Sequence, residues 1–421
     1  MDKFIVKGGN KLKGKVRVSG AKNSALALMP ATLLNSGINR LENTPEVRDI
    51  ITMMRLLSEL GVESKFDDHI VSLDTSNITS QVAPYEHVKK MRASVYVLGP
   101  LLTRYGYAKV SMPGGCAWGP RPINLHLEAM KKLGAEIELD SGYIIAKSKK
   151  LHGARISFDI SSVGATGNIL MAAVLAKGST HISNAAIEPE ITQLSNYLVS
   201  MGARINGIGT QELEVEGVDE LHSADIINIS DRIEAGTLLI AGAMTRGQIQ
   251  IECNQIENLN AILAKLEDSG AKISVGNNLV GLDASNLDYT AIDVTTGIFP
   301  AFPTDMQAQW TAYMSMAKGS STVTDTIYND RFKHVPELNR LGANIENVGN
   351  SAIITGVERL KGAIVMSTDL RASASLVLAG LAAEGTTEIL RIYHLDRGYQ
   401  RIEEKLKELG ADIERVKTEE F

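Results

Sequence analysis

One of the two cysteines of the chain stands where a reactive group could act. Cys116 follows two glycines in the segment 111–126, SMPGGCAWGPRPINLH, and Arg121 comes soon after it between two prolines. This density of glycine and proline predicts an exposed loop that could close over a site. A thiol with an ordinary pKa of about 8.5 needs nearby positive charge to become a useful thiolate, and Arg121 could supply it. Cys253, in the strand-like run GQIQIECN, is predicted instead to be buried and inert.

Basic side chains recur near the starts of predicted helices in a chain whose net charge is −6. The cations at helix starts are Lys22, Arg92, Arg232 and Arg371, and those in other polar segments are Arg121, Arg331 and Arg397. A cation at a helix start opposes the helix dipole, whereas an anion is favoured there. Exposure to solvent is the simpler explanation for any one of these residues. Taken as a set, they predict a ligand that carries several phosphate or carboxylate groups.

Two aspartates lie near two of the same helix starts, Asp305 in FPTDMQAQ and Asp369 in STDLRAS. Each could simply cap its helix, and each could also act as a general base or orient an arginine. His126 and His394 lie near candidate site segments, and a structural hydrogen bond is the favoured interpretation of both. The sequence contains no zinc-ligand spacing, Walker-type phosphate loop or GxGxxG fingerprint, so we expect no metal and no other cofactor.

The elements that must position these residues form an internal repeat of about 70 residues. One glycine series follows the second predicted helix of each repeat, in signatures such as LGA: Gly61, Gly134, Gly202, Gly270, Gly342 and Gly410. A second series follows the first helix and precedes a strand: Gly37, Gly106, Gly178, Gly247, Gly319 and Gly385. Alternating helices and strands predict an α/β fold, with three repeats in each of two domains. The polar helix starts occupy equivalent places in the repeats and could therefore converge on one site.

Length and composition limit the class of protein. A chain of 421 residues that is 44% hydrophobic is large enough for two globular domains. Its acidic balance argues against a nucleic-acid partner, and no run approaches the ~18 apolar residues of a membrane span. The first residues carry no apolar run of the signal-peptide type, and two cysteines fit a reducing compartment. We therefore expect a cytoplasmic protein that acts on small molecules and does not bind membranes; its protein partners are not predicted.

The motifs together resemble the enolpyruvyl transferase family, and the resemblance spans the whole chain. The segments that carry it are, in order, SGAKNSALALMPATLL, MRASVYVLGPLL, PGGCAWGPRP, SVGAT, FPTDMQAQ, TDLRASASLVLAGL and YHLDRGYQRIEEKL. The GGC loop and TDMQAQ resemble the members whose acceptor is UDP-N-acetylglucosamine. The resemblance implies an inside-out α/β barrel of six repeats in two domains. Residues 22–229 would form the domain that carries the Cys116 loop, and residues 1–21 and 230–421 would form the domain that carries Asp305, Arg331, Asp369, Arg371 and Arg397.

The resemblance also implies an activity. Such enzymes transfer the enolpyruvyl group of phosphoenolpyruvate to the 3′-hydroxyl of UDP-N-acetylglucosamine and release phosphate, in the first committed step of peptidoglycan precursor synthesis. Cys116 matches the general acid that protonates the enol carbon and can form a covalent phospholactoyl adduct. Asp305 matches the base near the sugar hydroxyl, and Lys22 and Arg397 complete the expected catalytic set. One acid and one base suffice for the two proton transfers, so no cofactor is expected.

Further binding residues are implied on both substrates. The residues expected to contact phosphoenolpyruvate are Lys22, Asn23, Arg121, Arg331, Asp369, Arg371 and Arg397. The residues expected to contact UDP-N-acetylglucosamine are Asn23, Arg92, Arg121, Pro122, Ile123, Asn124, Leu125, Ser162, Val163, Gly164, Asp305 and Ile327. The chain departs from the family pattern at Ile160, Trp118, Pro120 and the segment DTIYNDRF, which could change nucleotide affinity or loop motion.

Two other functions fit parts of the sequence. A 3-phosphoshikimate 1-carboxyvinyltransferase would share the fold and the enolpyruvyl donor, but its loop lacks the cysteine that GGC supplies here. A non-catalytic relative that only binds the sugar nucleotide would not need Cys116, Asp305 and the full cation set. An assay that offers both acceptors distinguishes the first alternative from the expected activity. Release of phosphate in the presence of both substrates distinguishes a catalyst from the second alternative, a protein that only binds.

Alkylation of the Cys116 thiol should abolish phosphate release, and the resemblance implies the same for fosfomycin, an epoxide mimic of phosphoenolpyruvate. Intact-mass analysis and peptide mapping should find one adduct, on Cys116. The variant Cys116→Asp should stay active and resist both reagents, because a carboxylic acid still donates a proton but is not alkylated as a thiolate. Loss of activity with labelling confined to Cys253 would contradict this prediction.

Overall fold

The structure, a computed structural model, describes residues 2–88, 91–112, 123–286 and 288–417. The chain divides into two compact units, one of Met1–Ser19 with Ser230–Phe421 and the other of Gly20–Ile229. The resemblance implied domain limits after residues 21 and 229, and the compact units are divided after residues 19 and 229. Each unit has its own hydrophobic core.

The described ranges contain helices and strands in regular alternation. The helices are α1 (Lys22–Ala31), α2 (Arg48–Glu59), α3 (Tyr85–Val88), α4 (Leu98–Tyr105), α5 (Asn124–Lys132), α6 (Val163–Ala173), α7 (Pro189–Ser200), α8 (Arg232–Met244), α9 (Asn260–Asp268), α10 (Gln307–Met314), α11 (Val335–Arg340), α12 (Leu370–Ala382) and α13 (Ile402–Glu408). Short 3-10 turns cover Thr32–Leu34, Arg92–Val97, Ile256–Leu259, Thr304–Met306 and Ile392–Arg397.

The strands of the described ranges are short. They are β1 (Asp2–Lys7), β2 (Lys13–Arg17), β3 (Ile38–Glu42), β4 (Glu63–Asp67), β5 (Ile70–Asp74), β6 (Val82–Ala83), β7 (Tyr107–Ser111), β8 (Glu136–Asp140), β9 (Tyr143–Lys147), β10 (Arg155–Ser157), β11 (Ser179–Ser183), β12 (Arg204–Asn206), β13 (Glu212–Glu216), β14 (Ile226–Ile227), β15 (Gln248–Glu252), β16 (Lys272–Gly276), β17 (Leu279–Asp283), β18 (Val294–Thr295), β19 (Ser320–Thr324), β20 (Asn344–Val348), β21 (Ser351–Thr355), β22 (Ile364–Met366), β23 (Thr386–Leu390) and β24 (Asp412–Lys417).

These strands form four-stranded sheets that repeat one pattern, and six such sheets occur within the described ranges. In the sheet β6-β7-β9-β8, β6 is parallel to β7, and β7, β9 and β8 pair antiparallel in turn. Strands distant in sequence complete three of the sheets: β14 joins β3, β2 joins β15, and β1 lies between β23 and β24. The prediction of six α/β repeats is confirmed, and the ends of the chain help to close the repeats of their own unit.

The first helix of each repeat lies inside its unit. In α8 every residue after Arg232 is buried, and α10 is buried throughout. These two helices pack against each other and against α12, and in the other unit α4 packs against α6. An enclosed helix needs no polar stripe towards solvent, and its polar side chains, such as Gln309 of α10, form hydrogen bonds inside the unit. No helix in the described part of the chain combines the length and apolarity that crossing a bilayer would require.

Two of the repeat glycines show two different structural reasons for having no side chain. Gly342 has a φ of 91° with nothing within 4 Å of an added Cβ, so its left-handed backbone alone favours glycine. Gly247, which belongs to the second glycine series, does not have a left-handed backbone. The preceding residue, Arg246, has the positive φ, 52°. A Cβ on Gly247 would lie 2.2 Å from the carbonyl oxygen of Leu12, so close backbone approach requires glycine there.

Substitution of these two glycines should separate the two causes. Gly342→Ala should lower the free energy of unfolding by ~1 kcal/mol, and Gly342→Asn by less, because asparagine tolerates a left-handed backbone. Gly247→Ala should lower it by more, since the backbone of Leu12 has to move. Both glycines belong to the same unit, so one denaturant transition reports both variants. Equal losses for the two alanine variants would contradict this assignment.

Candidate functional site

Asp305 lies at the centre of a charged cluster in the unit that contains both termini. Its carboxylate accepts one hydrogen bond from Arg331 Nη2 at 2.8 Å and another from Arg371 Nη2 at 2.9 Å. The Arg371 side chain is only 4% exposed, while that of Asp305 is 26% exposed. The cluster therefore has a buried inner side and a side open to solvent, and it brings together three residues that the sequence predicted for the site.

The local fold explains why these residues meet. Asp305 belongs to the 3-10 turn that precedes α10, and Arg371 lies in the first turn of α12. Burial by itself would lower the pKa of the Arg371 guanidinium, but the neighbouring Asp305 carboxylate raises that pKa above its ordinary value, with help from Tyr399 and Asp231. Arg371 is thus held as a permanent cation.

Neutral polar groups extend the cluster inward. Gln309 Nε2 donates to the Asp305 carbonyl oxygen at 3.0 Å and lies 3.1 Å from both Thr237 Oγ1 and the Tyr399 hydroxyl. The Tyr399 ring lies beneath the Arg371 guanidinium, 5.4 Å from ring centroid to Cζ. Burial raises the pKa of Tyr399, so this hydroxyl stays protonated at neutral pH. These groups fix the buried side of the Asp305 cluster.

Asp369 caps α12. Unlike Asp305, it has no arginine side chain among the hydrogen-bond partners described for its carboxylate. Its carboxylate accepts from the backbone N–H groups of Arg371 at 2.9 Å and Ala372 at 3.1 Å. This cap offsets the unfavourable place of a cation in the first turn. Burial lowers the pKa of the His394 imidazole. The Asp369 carboxylate acts to raise this pKa, and the Arg397 guanidinium acts to lower it. Asp369 and Arg397 are therefore both near enough to His394 to act on its charge.

Asp325 is a functional candidate that the sequence interpretation missed. It is fully buried directly after β19, and its carboxylate accepts from Thr304 Oγ1 at 2.6 Å and from the backbone N–H of Ile327 at 2.9 Å. Thr304 in turn accepts from Arg331 Nη1 at 3.0 Å. Asp325 is the first residue of the polar segment DTIYNDRF, which was the available signal, but its burial depends on the packed unit.

Lys22 begins α1 in the other unit and is buried. Its Nζ lies 3.3 Å from Asp49 Oδ2, and the two side chains are 11% and 6% exposed. Asp49, in the first turn of α2, is a second residue that the sequence interpretation missed. Removing one partner of such a pair would leave a buried charge uncompensated.

A neutral polar network links three predicted sugar-nucleotide segments. Asn168 of α6 donates from Nδ2 to the Val95 carbonyl oxygen at 2.8 Å, while its Oδ1 accepts from the Gly99 N–H at 2.7 Å. The same Nδ2 lies 3.1 Å from His126 Nδ1, which must therefore accept, so the imidazole proton lies on Nε2. Burial lowers the pKa of His126 to about 4. The favoured interpretation of His126 as a structural residue is confirmed.

The other predicted residues of this unit lie around that network. The Ser162 hydroxyl caps α6 by accepting from the Ala165 N–H at 3.3 Å, and Val163 O accepts from the Tyr96 hydroxyl at 3.3 Å. A Cβ on Gly164 would lie 3.2 Å from the His126 ring. Ile123 and Leu125 are half-buried before and within α5, and Asn23 and Asn124 are exposed.

Some predicted residues fall outside what the structure describes. Cys116, Arg121 and Pro122, with Trp118 and Pro120, lie outside the described residues, and so does the side chain of Arg92. Arg92 itself begins the 3-10 turn before α4. Ile160 and Ile327 are both exposed. Cys253 is buried as predicted, and burial raises the pKa of its thiol to about 11.

The described residues contain no group of three or more His, Cys, Asp or Glu side chains placed to hold a metal ion. The chemistry available in the described part consists of a carboxylate held by two arginines, a buried lysine–aspartate pair and a neutral polar network. Such an arrangement can bind anions, accept a proton and orient a hydroxyl group.

Known proteins resemble this chain over its full length. A family model described as EPSP synthase (3-phosphoshikimate 1-carboxyvinyltransferase) matches residues 6–406. Proteins named UDP-N-acetylglucosamine 1-carboxyvinyltransferase are 56% identical in Chlorobium limicola, over 424 residues and 100% of both chains, and 56% identical in Chloroherpeton thalassium, over 100% of this chain and 99% of the relative. The protein of that name from Chlorobaculum parvum is 52% identical over 100% of both chains.

Solved structures agree with this likeness. The enolpyruvyl transferase NikO from Streptomyces tendae superposes with a TM-score of 0.89 at 25% identity and covers 99% of both chains. An EPSP synthase from Acinetobacter baumannii has a TM-score of 0.76 at 17% identity, over 99% of this chain and 100% of the other, and that likeness concerns the fold alone.

The buried His126 should make stability depend on acidic pH. Its pKa of about 4 lies below the ordinary value of 6.5, so an unfolded chain binds a proton that the native protein excludes. His126 therefore contributes stability above pH 6.5, and that contribution falls as the pH drops from 6.5 towards 4, by about 3 kcal/mol at most.

The variant His126→Asn keeps an acceptor for Asn168 but has no imidazole to titrate. Its free energy of unfolding, measured by denaturant titration at several pH values, should fall less on acidification than that of the wild type. His222→Asn, at an exposed histidine, serves as the matched control and should keep the wild-type dependence. An unchanged slope in His126→Asn would show that another group governs this pH range.

Proposed function

The chain belongs to the enolpyruvyl transferase family, and from this we propose that it transfers the enolpyruvyl group of phosphoenolpyruvate to the 3′-hydroxyl of UDP-N-acetylglucosamine and releases phosphate. Relatives named for this acceptor are 52% to 56% identical over the full chain, which supports the choice of substrate. The reaction is the first committed step of peptidoglycan precursor synthesis. Cysteine content and composition favour the cytoplasm as its location.

The observation that carries the proposal is the pairing of one carboxylate with two arginines. Phosphoenolpyruvate brings a phosphate and a carboxylate, and a guanidinium has more donors than Asp305 uses. Arg371 Nε is buried and has no hydrogen-bond partner among the described residues. Arg331 and Arg371 can therefore bind the donor while they keep the Asp305 carboxylate in place.

The chemistry needs three proton transfers, two in the addition step and one in the elimination step. The acceptor hydroxyl forms a bond from its oxygen to carbon 2 of phosphoenolpyruvate while carbon 3 gains a proton. Loss of a proton from carbon 3 and departure of phosphate then restore the double bond. We assign Asp305 to the hydroxyl proton and Cys116 to the proton on carbon 3, with Lys22, Arg121 and Arg397 stabilising the charge that develops on the donor.

The second unit supplies the proposed contacts to the sugar nucleotide. The segments 92–97, 123–125 and 162–164 are tied together by the hydrogen bonds of Asn168 and by the packing of His126 against Gly164. Lys22 is oriented by Asp49, so its charge is held at one place. We propose that this unit determines the affinity for the acceptor.

Phosphate release measured with phosphoenolpyruvate and each of two acceptors tests the proposal. The protein should release phosphate with UDP-N-acetylglucosamine and not with 3-phosphoshikimate. Asp305→Asn should lower kcat by about 10²- to 10⁴-fold, because an amide does not accept the hydroxyl proton. Asp67→Asn, at an exposed carboxylate, is the matched control and should keep wild-type rates. Phosphate release with 3-phosphoshikimate alone, or binding of the sugar nucleotide without any turnover, would overturn the proposal.

A further inference from the structure

We propose that Asp325 is a positioning residue that serves both substrates, because its two carboxylate oxygens hold two different parts of the site. One oxygen holds the turn that carries Asp305, and the other holds the backbone of the segment that carries Ile327. This inference rests on the proposed function, since it concerns how well the base and the acceptor are aligned.

The Oδ2 arm leads to the base. Asp325 Oδ2 accepts the Thr304 hydroxyl proton at 2.6 Å, and Thr304 directly precedes Asp305. Thr304 Oγ1 also accepts from Arg331 Nη1 at 3.0 Å, while Arg331 Nη2 donates to Asp305 Oδ1 at 2.8 Å. The hydrogen-bonded chain Asp325–Thr304–Arg331–Asp305 fixes the carboxylate of the base relative to the guanidinium beside it.

The Oδ1 arm leads to the proposed acceptor contact. Asp325 Oδ1 accepts from the backbone N–H groups of Ile327 and Tyr328, both at 2.9 Å, and from Thr296 Oγ1 at 2.9 Å. This arrangement closes a tight turn directly after β19 and leaves the Ile327 side chain exposed. It sets the backbone position from which Ile327 would meet the sugar nucleotide.

Burial makes the geometry strict. Asp325 is fully buried, so water cannot replace a hydrogen bond that is lost. A displacement of ~1 Å in a reacting group can lower a rate by about 10²-fold. Loss of the Oδ2 arm should therefore act on kcat, and loss of the Oδ1 arm should act on the KM for UDP-N-acetylglucosamine.

The variant Asp325→Asn separates the arms. Three donors meet Oδ1, and an amide nitrogen cannot accept, so the amide oxygen has to stay on that side. The amide nitrogen then faces Thr304, whose hydroxyl proton loses its acceptor. We expect kcat to fall by about ten- to a hundred-fold with the KM for the sugar nucleotide changed less than about threefold.

Two threonine variants supply the comparison. Thr304→Val removes the same arm from its other end, so the double variant with Asp325→Asn should be little slower than either single one. Thr296→Val removes one hydrogen bond from the same buried carboxylate, and the acceptor of the Thr326 N–H, without touching the chain to Asp305. It should therefore lower the melting temperature about as much as Asp325→Asn while keeping kcat within about threefold of the wild type.

Steady-state kinetics and melting temperatures of the wild type and these variants decide the matter. A kcat loss in Asp325→Asn that is shared with Thr304→Val, non-additive in the double variant and absent from Thr296→Val supports the proposal. Equal kcat losses in Asp325→Asn and Thr296→Val, in step with their melting temperatures, would overturn it and leave only a structural role. A wild type without phosphate release would instead overturn the proposed function, and this inference with it.

Discussion

The Asp305 carboxylate is the point on which the described site depends, because it lies between two guanidinium groups that would otherwise repel each other. Arg371 is almost entirely buried, and a buried cation without a partner is strongly unfavourable. The pairing keeps Arg371 charged inside the unit and leaves part of Asp305 open to solvent. Two guanidinium groups and one carboxylate carry a net positive charge, so a site for anions can exist within an acidic protein.

The repeat architecture explains how such a cluster is assembled. The first helices of the repeats in this unit pack together in its core, so the segments before α10 and α12 meet although they are far apart in sequence. The enclosed faces of these helices are mostly apolar, whereas the residues at their starts differ from repeat to repeat. Asp369, at the start of α12, caps that helix, whereas Asp305, just before α10, binds arginine side chains. One scaffold thus presents different chemistry at equivalent places.

The other unit uses neutral hydrogen bonds for the same purpose. Asn168 satisfies a carbonyl oxygen, an N–H group and an imidazole at once, and His126 stays neutral because burial penalises its charged form. A network in which each group has a partner is rigid, so it can hold backbone segments for a ligand. Lys22 and Asp49 add a buried ion pair to this unit.

The sequence by itself determined the repeat, the fold class and the family, because helix periodicity and glycine signatures depend on neighbours along the chain. It also identified Asp305, Arg331 and Arg371 as residue types suited to anions. It could not decide whether Asp305 or Asp369 capped its helix, since both stand at helix starts. It missed Asp49, Asp325 and Asn168, because a short polar side chain acquires its role from partners on other strands and helices. Burial and hydrogen-bond partners are properties of the packed unit, and only the tertiary structure decides them.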